Sequence, residues 1–232
     1  MANPEWRIEA FLYAPSRPLS AWAQDTLRSS RARLHLELSL PLMEELSDKD
    51  DVSELLAVVK IPSDDPARLP AGPQPLYVLL DQPSLPGNLG TVIRSCDGLG
   101  VDGVVIFGRA ADLYDPRTVR GAAGSLFAQP VVRVTTWGCL KGWLEGLRSQ
   151  TQNLQLVATT ARGGVWPDEV SFSNPTVLML GNETAGLSHK VAELCDTSVT
   201  IPMSGSASSL NVASAATAIL YEVRRQRRAD GA

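Results

Sequence analysis

Three short stretches carry polar side chains of the types that can bind and orient a ligand. "DQPSLPGNLGTVIRS" contains Asn88, Gly90 and Arg94, "GNETAGLS" contains Gly181, Asn182 and Glu183, and "IPMSGSASSLNVASAA" contains Ile201, Met203, Ser209, Leu210 and Asn211. Taken singly, each reads as helix capping, because Asn, Ser and Gly begin helices everywhere. The second stretch is one residue short of a phosphate loop, G-x-x-x-x-G-K-[ST], with Leu187 in the lysine position. It follows an apolar strand, so its backbone amides could face a ligand. Without the lysine no side chain there can hold β- and γ-phosphates, and no apolar run ending in Asp follows, which argues against a nucleotide triphosphatase. "GLGVDG", Gly98 to Gly103, matches G-x-G-x-x-G. It ends a helix and leads into a strand, the reverse of a dinucleotide fingerprint, so Gly98 and Gly100 read as helix C-cap glycines.

Alternating apolar strands and helices position these stretches. From Leu76 onward the chain reads "LYVLLD" (strand), "NLGTVIRSCDGLG" (helix), "GVVIFG" (strand), "PRTVRGAAG" (short helix), "PVVRV" (strand) and "TWGCLKGWLEGLRSQ" (helix). It continues with "LQLVATT" and "TVLMLG" (strands), "LSHKVAELC" (helix), "TSVTIPM" (strand) and a long helix, "SLNVASAATAILYEVRRQ". Near-continuous apolar strands between helices imply a parallel sheet covered on both faces. Ligands then belong at the carboxyl ends of its strands. Residues 63–75 are rich in proline and acid and read as a linker between residues 1–62 and 76–232. The first part reads as a small α/β module: strand-like "IEAFLY", helix-like "SAWAQDTLRSSRA", "LHLELS", a short helix "PLMEELSD" and strand-like "LLAVVKI".

With 232 residues and 44% hydrophobic content, the chain can form one large domain or two small ones. Its apolar runs are too short to cross a bilayer, and the N-terminus lacks a signal-peptide layout. Three widely spaced cysteines, Cys96, Cys139 and Cys195, suggest buried thiols in a reducing cytoplasm. Two histidines, His35 and His189, cannot supply a His-rich metal centre, so no metal is expected. The net charge of −4 argues against indiscriminate nucleic-acid binding by bulk charge. Arginines nonetheless cluster at Arg109, Arg117, Arg120 and in "RRQRR", Arg224 to Arg228. The plain reading of that tail is a solvated helix end, where cations suit the dipole.

In order and spacing, the three stretches together resemble the SPOUT superfamily, and closely its SpoU/TrmH branch of RNA 2′-O-ribose methyltransferases. Asn88, Gly90 and Arg94 match N-x-G-x-x-x-R; "LMLGNETAGL" matches an apolar strand followed by G-N-E-G-x-G-L; "IPMSGSASSLNVASA" matches the third motif throughout. The similarity covers residues 76–228. Thr184 replaces a glycine, which matters only if that turn needs positive φ.

The resemblance implies a parallel α/β fold whose C-terminal part is tied in a trefoil knot, with S-adenosylmethionine bent within the knot loops. It assigns Gly181, Asn182, Ile201, Met203 and Leu210 to the donor pocket, with Thr160 nearby. It makes Arg94 the residue that activates the ribose 2′-hydroxyl. A guanidinium is a poor base, so binding a phosphate and the developing alkoxide is the role its chemistry supports. Asn88, Glu183, Ser209 and Asn211 would orient the arginine and the ribose, and Arg120 is a phosphate-binding candidate. The resemblance also implies a homodimer, with Arg94 facing the partner's donor site.

Residues 1–62 resemble, more loosely, a ribosomal-protein-like α/β RNA-reading domain, through "IEAFLYAP" and "LSDKDDVSELLAVVKIP". This favours rRNA over tRNA. Such domains usually begin with a basic helix and a strand, so this one is expected to lack its natural start. Its sheet would then miss a strand and one face its covering helix. The rival readings are a same-fold tRNA methyltransferase, acting on ribose or base, and an inactive RNA-binding protein. "SLN" favours ribose chemistry, and the intact Arg94, Glu183 and Asn211 weigh against inactivity.

Overall fold

The computed structural model describes residues 5–47 and 51–229. The chain divides into two compact units, with the boundary between Ser63 and Asp64.

The first unit comprises β1 (Arg7–Tyr13), α1 (Ala21–Ser29), β2 (Leu34–Glu37), α2 (Leu40–Ser47) and β3 (Leu56–Lys60). The sheet order is β2-β1-β3, with β2 parallel and β3 antiparallel to β1. The Ser20 hydroxyl caps α1 by accepting from Ala23 N, and Ser20 N donates to Glu54 at 2.7 Å. Phe11, Ala23 and Met43 form a small core, while Leu34, Leu36 and Val58 stay exposed. The helix expected to reach Asp48 is described to Ser47; Asp48 lies outside the described residues.

The second unit contains β4 (Leu76–Asp81), α3 (Pro86–Leu99), β5 (Gly103–Phe107), α4 (Pro116–Ala122), β6 (Val131–Val134) and α5 (Trp137–Gln150). β7 (Gln155–Thr159), β8 (Thr176–Leu180), α6 (His189–Ala192), β9 (Thr197–Val199) and α7 (Val212–Ala229) follow. All strand pairs are parallel, in the order β6-β5-β4-β8-β7-β9. Side chains alternate across a strand. Tyr77, Leu79, Val105, Val132, Val177 and Met179 therefore share one face, packed with Leu140, Leu144 and Leu147 of α5 and Val191 of α6. Their neighbours Val78, Leu80, Val104, Leu178 and Leu180 are equally buried on the other. The chain winds outward from β4 through β5 to β6, then places β8 on the other side of β4. That reversal opens a crevice above β4 and β8, where open α/β sheets bind ligands.

The sequence reading is corrected at several ends. α3 runs through Gly98, so only Gly100, at φ +79°, is a C-cap glycine. α6 is a single turn, because i+3 bonds from Leu194 N to Val191 O and Cys195 N to Ala192 O tighten the chain toward β9. β9 stops at Val199 instead of continuing to Met203, since Pro202 has no N–H for a ladder. α7 begins at Val212, which leaves Ser209 in a loop. Within the proline-rich segment, Asp65 caps a 3-10 turn over Pro66–Arg68 and Leu69 is buried. Asp64 pairs with Arg133 at 2.7 Å, and the guanidinium lies over Tyr114 at 5.2 Å.

Candidate active site

Three chain reversals build the site at the carboxyl ends of β4, β8 and β7. After β8, the 181–188 loop folds back on itself: Asn182 N donates to Gly186 O and Gly186 N to Asn182 O, both at 2.9 Å. The Asn182 Oδ1 accepts from Thr184 N and Ala185 N at 3.0 and 3.1 Å. Its amide donates to Gln82 O at 2.7 Å. Gly186 takes the left-handed position, at φ +70°, and Thr184 does not, so the missing glycine at 184 costs no backbone strain. Gly181 is required by close approach: a Cβ there would meet the Gly186 and Leu187 backbone, with Gly186 O at 2.6 Å.

Asp81, missed in the sequence reading, secures the far end of this loop. It ends β4, is 1% exposed, and accepts from Ser188 N at 2.6 Å. The signal available was an acid closing an otherwise apolar strand.

Glu183 is engaged by four donors. Ser84 N and Oγ reach one oxygen at 3.0 and 2.7 Å; Leu85 N and Asn88 Nδ2 each reach the other at 3.1 Å. Its charge thus sits at the amino end of α3, where the helix dipole favours an anion. A carboxylate only accepts, so Asn88 must present its NH₂ to Glu183 and its oxygen elsewhere. That oxygen accepts from Asn211 Nδ2 at 3.0 Å, and Asn211 Oδ1 accepts from Ala213 N at 2.8 Å, capping α7. One carboxylate thereby orients two amides and fixes the starts of two helices. A base already satisfied by four donors has little capacity to take a substrate proton.

Burial pushes the Glu183 carboxyl upward, but bonds from Ser84 N–H and hydroxyl, its own backbone N–H and the Asn88 amide outweigh it and hold the group below its ordinary value. A depressed carboxyl contributes stability above the unfolded pKa of about 4.3, and that contribution is lost as pH falls through the folded value. Thermal melts between neutral and strongly acid pH should show a steeper acid loss for the native protein than for Glu183→Gln. Superimposable acid limbs would contradict this.

The cleft has a volume of about 640 Å³, within the range of small-molecule sites. Asn88, Thr160, Gly181, Asn182, Glu183, Ile201, Met203, Ser209, Leu210 and Asn211 all line it. Thr160 Oγ1 is 2.9 Å from Thr200 Oγ1, which also accepts from Gly164 N at 2.9 Å. Ala215 and Ile219 line the cleft too. Their spacing of four from Asn211 could have identified them, as one face of a helix. Arg94 and Arg120 do not line it. Arg94 projects from the exposed face of α3 and makes no hydrogen bond or ion pair among the described residues. Among those residues no group of three or more His, Cys, Asp or Glu could hold a metal ion.

The fold and cleft define a parallel α/β protein that holds a small organic ligand between main-chain loops at the ends of its central strands. The SpoU rRNA Methylase family matches residues 75–221, and the chain belongs to that family. It is 46% identical over 223 residues to a 23S rRNA (uridine(2479)-2′-O)-methyltransferase of Streptomyces viridochromogenes, covering 96% of this chain and 77% of the relative. The crystal structure of the SpoU methyltransferase AviRb from that organism, in complex with AdoMet, superposes with a TM-score of 0.91 at 46% identity, covering 96% of this chain and 84% of the other. An AdoMet-bound rRNA methyltransferase from Sinorhizobium meliloti gives 0.79 at 33% identity, covering 95% and 80%. Other curated relatives are longer, and the chain spans about half their length.

Proposed function

We propose that the protein transfers the methyl group of S-adenosylmethionine to the 2′-hydroxyl of a ribose in 23S rRNA. The observation that carries this is the cleft: nine residues from three separated motifs, with Thr160 after β7, line one cleft. The fit to the donor is chemical as well as spatial. Ile201, Met203, Leu210 and Ile219 offer apolar contact for a purine, and the 181–186 loop supplies a wall of main chain beside them. When bound, the donor supplies an electrophilic methyl group on a good leaving group. The chain's task is then alignment, which can contribute several kcal/mol (about 7–11 at the extreme). Asn88 and Asn211 hold the wall against which the ribose would lie. Arg94 would bind the neighbouring phosphate and the developing alkoxide.

The preference for rRNA over tRNA rests on the relatives, two of which are named as rRNA methyltransferases. The remaining assignments belong to the same reading. The segment from β8 through α7 forms the trefoil knot, for which the strand order β8-β7-β9 leaves room. Residues 1–62 read structured RNA, 63–75 link them to the methyltransferase domain, and the enzyme works in the cytoplasm. Mapping a single 2′-O-methylated nucleotide after incubation with labelled donor and deproteinised ribosomal RNA tests the function. Folded protein that neither binds donor by calorimetry nor labels RNA would refute it.

Arg94 supports a homodimer. It lies outside its own cleft on an exposed stripe of α3 with Gly87, Thr91 and Gly98, small enough for another helix to approach. Activity should fall with dilution as the dimer dissociates, tracked by sedimentation. A fully active monomer at nanomolar concentration would rule the arrangement out.

A further inference from the structure

We infer that the carboxyl end of α7 carries a second RNA contact, a phosphate-binding face centred on Arg224 and Arg228 and outside the cleft. The inference rests on the function proposed above. The four arginines of this tail differ in their surroundings. Arg227 is an anchor: it donates to Phe172 O, Gln74 O and Asn174 O at 3.0, 2.8 and 3.1 Å, and burial lowers its pKa. Arg225 is neutralised by Glu222 through two bonds of 2.7 Å. Arg224 and Arg228 are exposed and make no hydrogen bond or ion pair among the described residues. Both line a groove of about 500 Å³ with Gly72, Pro73 and Gly100, and a second concavity with the exposed ring of Tyr221. The groove also contains Asp102, whose carboxylate is already engaged by Leu76 N at 2.7 Å.

A solvated helix end accounts for exposure and for cations near the helix dipole. It does not account for an unpaired pair on a helix end anchored by a half-buried third arginine, set in concave surface beside an aromatic ring. Phosphate takes a planar guanidinium fork, and a base stacks on a tyrosine ring. A chain of net charge −4 must draw a polyanion through local faces. Asn211, on the wall where the ribose would lie, caps α7, and Ala215 and Ile219 extend the cleft along the helix; at ~1.5 Å per residue Arg224 lies about 20 Å and Arg228 about 25 Å along the helix from Asn211. RNA on this face would be several nucleotides from the reacting ribose.

The test uses the full chain and a 23S rRNA transcript. Each phosphate contact removed lowers the magnitude of the slope of log K against log[salt] by about 1. Arg224→Gln/Arg228→Gln should lower it by about 2 and weaken RNA binding, with melting temperature and donor affinity near native. Lys141→Gln/Arg148→Gln on α5 changes net charge equally and should leave the slope as it was. Equal slopes for the native protein and the α7 variant would overturn the inference, as would an equal drop in the α5 control. Either result leaves the proposed activity standing if the native protein methylates the transcript; failure to methylate would instead count against the activity itself.

Discussion

Arg94→Ala is expected to abolish methyl transfer while leaving the fold and the affinity for S-adenosylmethionine unchanged. The side chain is exposed, makes no hydrogen bond or ion pair among the described residues and lies outside the cleft, so its loss removes neither a polar tie nor a donor contact. If it holds the phosphate and the developing alkoxide, removing it should cost about 10²–10³-fold in turnover, the scale for a single oxyanion donor. Arg94→Lys should recover little, because a point charge does not reproduce a planar fork. A rate within about threefold of native, well under 1 kcal/mol of barrier, would remove Arg94 from the site. Mixing Arg94→Ala with a second variant disabled in the donor loop provides a further readout. If arginine and donor come from different subunits, mixed dimers regain one working site; if both come from one chain, no activity returns.

Gly181→Ala supplies that second variant and should have the other large effect. The added carbon would overlap the Gly186 and Leu187 backbone, and backbone cannot swing aside as a side chain can. The loop must open, breaking the reciprocal Asn182–Gly186 bonds and drawing Glu183 from the start of α3. Overpacking of this kind costs about 1–3 kcal/mol or more. Because the distortion falls on the donor wall, calorimetry should show donor affinity reduced by tens-fold or lost, with the sheet still folded by circular dichroism. Native donor affinity in this variant would show that the loop is not the donor wall. The neighbouring Thr184→Gly should be close to neutral, since Thr184 has no left-handed backbone to relieve.

Much of this architecture was legible because it depends on local pattern. Continuous apolar strands such as Leu76–Leu80 and Thr176–Leu180, alternating with helices, fix a parallel sheet buried on both faces, since no other arrangement covers both rows of side chains. The three polar stretches follow strands, which alone places them at one end of that sheet. Their membership in one cleft was legible only through motif order and spacing. The tertiary structure decided the rest. No sequence distance shows that Glu183 meets Ser84 and Asn88 about a hundred residues away, or that this carboxylate orients both amides. Asp81 reads as the end of a strand until Ser188 N is found on it. The late start of α7 is likewise tertiary, because the residues before it, Ile201, Met203 and Ser209 to Asn211, form a wall of the cleft instead of a helix. Which way Arg94 points is also tertiary: it is exposed on α3 and outside its own chain's cleft, because a side chain's direction is set by its helix face and not by its neighbours in a motif.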